Sequence, residues 1–152
     1  MGGDEGVRVM VAGAALARHR HESFKFLLVG DEVQIKAALE NHPNLRAASE
    51  ILHTTEVVTG DDKPSQALRK SRGSSMGLAI NAVKAGDAAA AVSAGNTGAL
   101  MAMAKVARDS KTLMVIPNAG ANDLTGPLCS PYIFRSSFSA WQPSYAMGEL
   151  LA

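Results

Sequence analysis

Cysteine is nearly absent: the 152 residues contain one, Cys129. That excludes an internal disulfide and any zinc centre built on cysteine, and it makes a reducing, cytosolic compartment the expectation. An excess of either charge is also lacking. With 15 basic and 14 acidic side chains the formal net charge is +1, so no global field argues for nucleic acid or an anionic membrane. No uninterrupted apolar run approaches the roughly 20 residues that cross a bilayer. The opening MGGDEGVRV is acidic and has neither the charged nor the apolar region of a secretory leader. The four histidines, at 19, 21, 42 and 53, do not stand at metal-ligand spacing from cysteine or carboxylate, so no metal is expected. There is no Walker loop, no G-x-G-x-x-G and no internal repeat, and no nucleotide follows. No pair of nucleophile and base is legible, which favours chemistry by positioning and electrostatics.

What is present suffices for one domain with a core, since 47% of the residues are apolar and the length is ordinary for a single domain. Val7 to Ala17 reads as an alanine-rich helix ahead of a basic patch, Arg18 to His21. Basic residues suit a helix C-terminus and its dipole, which favours a surface helix over a membrane anchor. Phe24 to Val29 reads as a strand, with Gly30 and Asp31 breaking it and capping a helix from Glu32 to about Asn41. A short helix or turn is expected over 44–50, and a strand over the β-branched Ile51 to Val58. GDDKP is a loop, SRGSS interrupts a helix begun at Ser65, and Met76 to Ala85 is a helix with Gly86 at its C′ position. Ala88 to Val92 is a strand, Ala99 to Arg108 a helix, and Leu113 to Ile116 a further strand. Strands alternating with helices imply βαβ units and a mostly parallel sheet. From Pro117 to Pro143 four prolines and many serines show no sustained period, and the helix-like YAMGELLA comes only at the end. The expectation is an α/β unit over 1–110 and a divergent, poorly ordered segment over 111–152.

The most informative stretch is VSAGNTG, where a buried strand ends in small hydrogen-bonding groups and a helix begins at once. In open α/β sheets ligands sit outside the carboxyl ends of the strands. Gly95 and Gly98 allow close backbone approach, and amides opening the next helix favour an anion. Ser93 and Thr97 add hydroxyls and Asn96 an amide, a seat for phosphate or for a carbonyl oxygen acquiring charge. The competing reading, equally weighted, is a tight turn with Asn96 or Thr97 as the helix cap. Lys63 could neutralise a phosphate and Asp61 orient a donor, though chemistry alone favours a solvated turn, as it favours a cap for the serines that follow. Ser74 and Ser75 could bind phosphate or cap a helix. Gly2, Gly3 and Asp4 could contribute backbone amides to an anion nest, or could belong to a loose terminus.

Taken in order, MGGD, LVGDE at 28–32, the ASE…EVV…GDDKPSQALR…SSM series and VSAGNTGALMA at 92–102 resemble one family. It is the bacterial phosphate acyltransferase of phospholipid synthesis, acyl-(acyl carrier protein):phosphate transacylase. The resemblance covers about residues 1–108. It implies a three-layer α/β/α Rossmann-like fold related to phosphotransacetylases and isocitrate-type dehydrogenases. It also implies a cytosolic homodimer with peripheral membrane association, and no metal or organic cofactor. Orthophosphate would be the nucleophile and an acyl thioester on acyl carrier protein the donor. In that frame Asn96, Lys63 and Ser93 are the catalytic candidates. Gly95, Thr97, Asp61, Ser74, Ser75, Gly2, Gly3 and Asp4 are the phosphate- or substrate-binding ones. The family's strand ahead of MGGD is missing, EGVRV stands where a Gly-Pro pair is usual, and its second half is not recognisable after NAGAND at 118–123. Truncation or a disrupted frame is the expected cause, and whether such a chain turns over stays open. A coenzyme A-dependent phosphate acetyl- or butyryltransferase and a non-catalytic remnant are the alternatives.

Overall fold

A computed structural model describes residues 6–57, 73–93, 104, 107–109, 111–116, 122–124, 126–127 and 129–136. The first element, α1, spans Gly6–Arg20. Its alanines, leucine and methionine are good helix formers. Val7, Val11, Ala14 and Ala15 recur at helical spacing, and these are the side chains it turns inward. Arg18, His19 and Arg20 occupy its last turn, so the helix runs past the expected Ala17 into the basic patch, which complements the negative end of the dipole as expected.

Strand β1, Phe26–Gly30, and strand β2, Ser49–His53, pair in parallel with Phe26 opposite Ser49 and Gly30 opposite His53. Parallel neighbours need a crossover, and here it consists of α2, Glu32–Leu39, and the single turn α3, Pro43–Arg46. Pro43 stands at the start of α3, where its missing N–H costs nothing. Ile35, Leu39 and Leu45 join Val11 as one buried cluster, against which Phe26 and Leu28 turn the same face of β1. β2 begins two residues before the expected Ile51 and ends at His53 rather than Val58. Thr54 is the reason: its hydroxyl donates to the Gly73 carbonyl at 2.8 Å and accepts from the Glu56 amide at 3.1 Å. A side chain that bonds its own backbone two residues on turns the chain out of the ladder.

Helix α4, Ser75–Ala85, follows. Gly86 at its end has φ 89°, and its N–H returns to carbonyls of the last turn, the left-handed stop foreseen at that position. The amides of Asp87 and Ala88 also bond back to the Ala82 carbonyl. They are therefore lost to the next ladder, and β3 is only Ala91–Val92 instead of 88–92. β4, Met114–Ile116, pairs in parallel with β3, and β5, Ile133–Arg135, in parallel with β4. A single 3₁₀ turn, Asn122–Leu124, lies between β4 and β5.

Two cores result. Ile80, Ala91, Ala104, Ala107, Met114, Ile116, Leu124 and Ile133 form the second, with Met76, Ala79 and Val83 of α4 packed against it. Helix α4 touches β1 as well as β3 and so links the two sheets. The architecture is α/β with short, wholly parallel sheets among the described residues: β1–β2 and, separately, β3–β4–β5. The sequence reading foresaw the parallel α/β character but no regular element between 117 and 143. That stretch holds the 3₁₀ turn and β5, with Leu124 fully buried. Among the described residues no helix is long and apolar enough to cross a membrane.

Candidate functional site at the strand ends

Because β1 and β2 run in parallel, both carboxyl ends open on one edge, and the following residues define what meets a ligand there. After β1, Asp31 caps α2. Its carboxylate accepts from the Val33 amide at 2.9 Å and the Gln34 amide at 3.3 Å, and Gln34 adds its side-chain N–H at 3.2 Å. At the end of β2, His53 Nδ1 accepts the Glu32 amide at 3.1 Å. The imidazole thus fastens the entrance of α2 to the neighbouring strand, a structural role consistent with its isolation from metal ligands. One turn on, Glu32 pairs with Lys36 at 2.6 Å.

The start of α4 is drawn to the same edge by the chain leaving β2. The Ser75 amide donates to the Glu56 carbonyl at 3.1 Å, and Thr54 holds the Gly73 carbonyl. Gly73 lies so close to Glu56 that a Cβ there would meet its carboxylate. Ser74 is 1% exposed, and its hydroxyl accepts from the Gly77 amide at 3.2 Å as the cap of α4. Thr54 and Glu56 were missed as organisers of this edge. Their contacts with Gly73 and Ser75 span about twenty residues of chain, and no local sequence signal marks them.

Ser93 follows β3 directly, half-buried at that strand's carboxyl end. Gly95, Asn96 and Thr97 lie outside the described residues, as do Asp61, Lys63, Gly2, Gly3 and Asp4. Of the eleven candidates the structure therefore places Ser74, Ser75 and Ser93. It brings the first two together with Thr54 and Glu56. Cys129 is exposed, and among the described residues no group of three His, Cys, Asp or Glu side chains could hold a metal ion.

The electrostatics of this edge are legible at α2. The Gln34 amide foremost holds the Asp31 carboxyl below its ordinary range; desolvation opposes it, and the Gln34 side chain, the Val33 amide and His53 add to the lowering. Lys36, through its hydrogen bond first, does the same for Glu32. A lowered carboxyl pKa in the folded state means stability that is present above the unfolded value, about 4, and is lost as pH falls through the folded one. Asparagine caps a helix about as well as aspartate. Asp31→Asn is thus expected to change the urea midpoint little at pH 7 and to flatten its decline as the pH falls below about 4. An unaltered acid limb in the variant would contradict this.

A solved ABC-transporter solute-binding protein from R. palustris, in complex with benzoate, matches with a TM-score of 0.50 at 20% identity, over 84% of this chain and 36% of that one; the likeness is of fold alone. Sequence relatives are far nearer. A phosphate acyltransferase of Erythrobacter litoralis is 71% identical over 107 residues, 70% of this chain and 30% of its own length. Those of Bradyrhizobium diazoefficiens and Parvibaculum lavamentivorans are 60% identical over 106 residues and 56% over 119, covering 69% and 78% of this chain and 30% and 32% of theirs. The chain thus spans about a third of the length of the curated relatives it matches. The family described as fatty acid synthesis protein matches residues 1–116. The resemblance carried by MGGD, LVGDE, DDKPSQALR and SAGNTGALMA is borne out: the chain belongs to the fatty acid synthesis protein family, and its relatives are phosphate acyltransferases.

Proposed function

We propose that this chain carries the phosphate side of an acyl-transfer site, serving the conversion of acyl-(acyl carrier protein) and orthophosphate to acyl phosphate and free carrier protein. The observation that carries the reading is 71% identity over 107 residues to a phosphate acyltransferase. A phosphate oxygen attacks the thioester carbonyl, the tetrahedral oxyanion collapses, the C–S bond breaks, and the thiolate leaves to be protonated. The protein need supply no nucleophile of its own. It holds phosphate in line with the carbonyl and stabilises the oxyanion.

In this reading Asn96 donates its amide to the oxyanion, while Ser93, Gly95 and Thr97 cradle phosphate at the carboxyl end of β3. Lys63 draws phosphate in. Asp61, Ser74 and Ser75 support the seat, and Gly2, Gly3 and Asp4 add backbone amides. The finer architecture is a three-layer Rossmann-like sheet of the phosphotransacetylase and isocitrate-dehydrogenase type. Homodimerisation, cytoplasmic location and peripheral attachment to a membrane belong to the same reading. Two facts support it physically: the sheets are parallel, and Ser93 and the start of α4 stand at strand ends where anions are held.

The test compares thiol release from palmitoyl carrier protein and from palmitoyl and acetyl coenzyme A, with and without phosphate. It uses this chain and a chimera in which residues 1–116 replace the matching part of the Erythrobacter litoralis relative. Phosphate-dependent release from the carrier protein is the expected result. Preference for coenzyme A would point to the short-chain phosphotransacylase, and a chimera silent with every donor would leave a non-catalytic segment.

A further inference from the structure

Helices α1 and α2 do not close on each other along their whole length. Between the N-terminal half of α1 and the C-terminal end of α2 lies a cleft of about 550 Å³, within the range of about 300–1,000 Å³ typical of small-molecule sites. Its walls are unequal. Val7 and Ala12 on one side and Ala37 and Ala38 on the other make an apolar floor, shallow because three of the four are alanine. Its polar lining is Arg8, Gln34, Asn41 and His42. Among the described residues no acidic side chain lines the cleft and no carboxylate pairs with Arg8.

Arg8 is also in an unusual place. It lies near the start of α1, in a helix with no acid in its first turn, where the dipole is already positive. Arg8 is exposed, and among the described residues no ion pair occupies its guanidinium. A guanidinium presents a planar fork of donors that matches the two oxygens of one carboxylate. The neighbouring Asn41 amide can donate alongside it. The apolar floor in turn asks for an aliphatic tail, since burying alkyl surface is the main gain such a surface offers.

We propose that the α1–α2 cleft binds an aliphatic carboxylate, with its head on Arg8 and Asn41 beside His42 and its tail along Val7, Ala12, Ala37 and Ala38. This site is separate from the strand-end edge and does not rest on the acyl-transfer reading. The experiment is an NMR titration of the chain with decanoate below its micelle concentration. Decanol serves as a tail-only probe and acetate as a head-only one. Decanoate is expected to bind saturably and to shift the amides of Arg8, Ala12 and Asn41, with decanol and acetate both weaker.

Arg8→Gln, at an exposed position, should weaken decanoate about ten-fold, the low end for a hydrogen-bonded charge near solvent, and leave decanol unchanged. Ala37→Leu, also exposed, should fill the floor and weaken decanoate and decanol alike. Equal affinity for decanoate and decanol in the unaltered chain would overturn the proposal. So would an Arg8→Gln variant, folded by its amide dispersion, that binds decanoate as before. Shifts confined to exposed apolar residues such as Phe134 and Val92 would likewise refute it.

Discussion

Replacing Asn96 by alanine is expected to lower kcat by about 10²–10³, the usual loss when one oxyanion donor is removed. The expectation follows from the proposed role: the amide donates to charge that exists only in the transition state, so the ground-state complex loses little. Lys63→Ala should behave differently. It removes attraction for phosphate common to ground and transition states, and therefore raises the phosphate KM while kcat changes less. Both variants are to be measured in the chimera that carries residues 1–116. Thermal unfolding, followed alongside, shows whether the fold persists. If Asn96→Ala unfolds the protein while kcat per folded molecule is unchanged, Asn96 is a helix cap and the oxyanion belongs elsewhere.

Leu45→Ala should cost about 2–5 kcal/mol, as should Ile116→Ala, the range found when a large buried aliphatic is truncated. Leu45 is 0% exposed in the cluster beneath α1 and α2, and Ile116 is 0% exposed in the cluster beneath α4. The clusters share no residue, so the two losses should add. Stabilities of about 5–15 kcal/mol are usual for whole domains, and the double variant should be largely unfolded at 25 °C. Urea unfolding of the two single variants and the double variant checks this. Strong non-additivity would mean that α4, which touches both β1 and β3, fuses the two clusters into one.

Much of the N-terminal half was legible because its signals are local and strong. Asp31 after a run of apolar residues announces a strand end and a cap together, and the structure shows both. Gly86 after Met76–Ala85 announced a left-handed stop. The errors came where side-chain or helix-end hydrogen bonds competed with a ladder. Thr54 ended β2 early, and the return of the Asp87 and Ala88 amides to Ala82 shortened β3. Neither competition is visible in hydrophobic period. β5 was missed for another reason. Three residues, Ile133–Arg135, between Pro131 and a serine carry too little pattern to be read, and the strand exists through pairing with β4. Of the candidate site, Ser74 and Ser75 were correctly read as standing at a helix start, whereas the Thr54–Gly73 and Glu56–Ser75 contacts that place them are long-range and left no mark in the sequence.

The central claim is that phosphate, rather than water or a protein side chain, takes the acyl group. The most direct measurement is ³¹P NMR of the chimera turning over palmitoyl carrier protein in orthophosphate, with free thiol counted in the same sample. An acyl phosphate resonance should grow one for one with released thiol, and no thiol should appear when phosphate is withheld. Thiol released without acyl phosphate, or at the same rate in phosphate-free buffer, would contradict it.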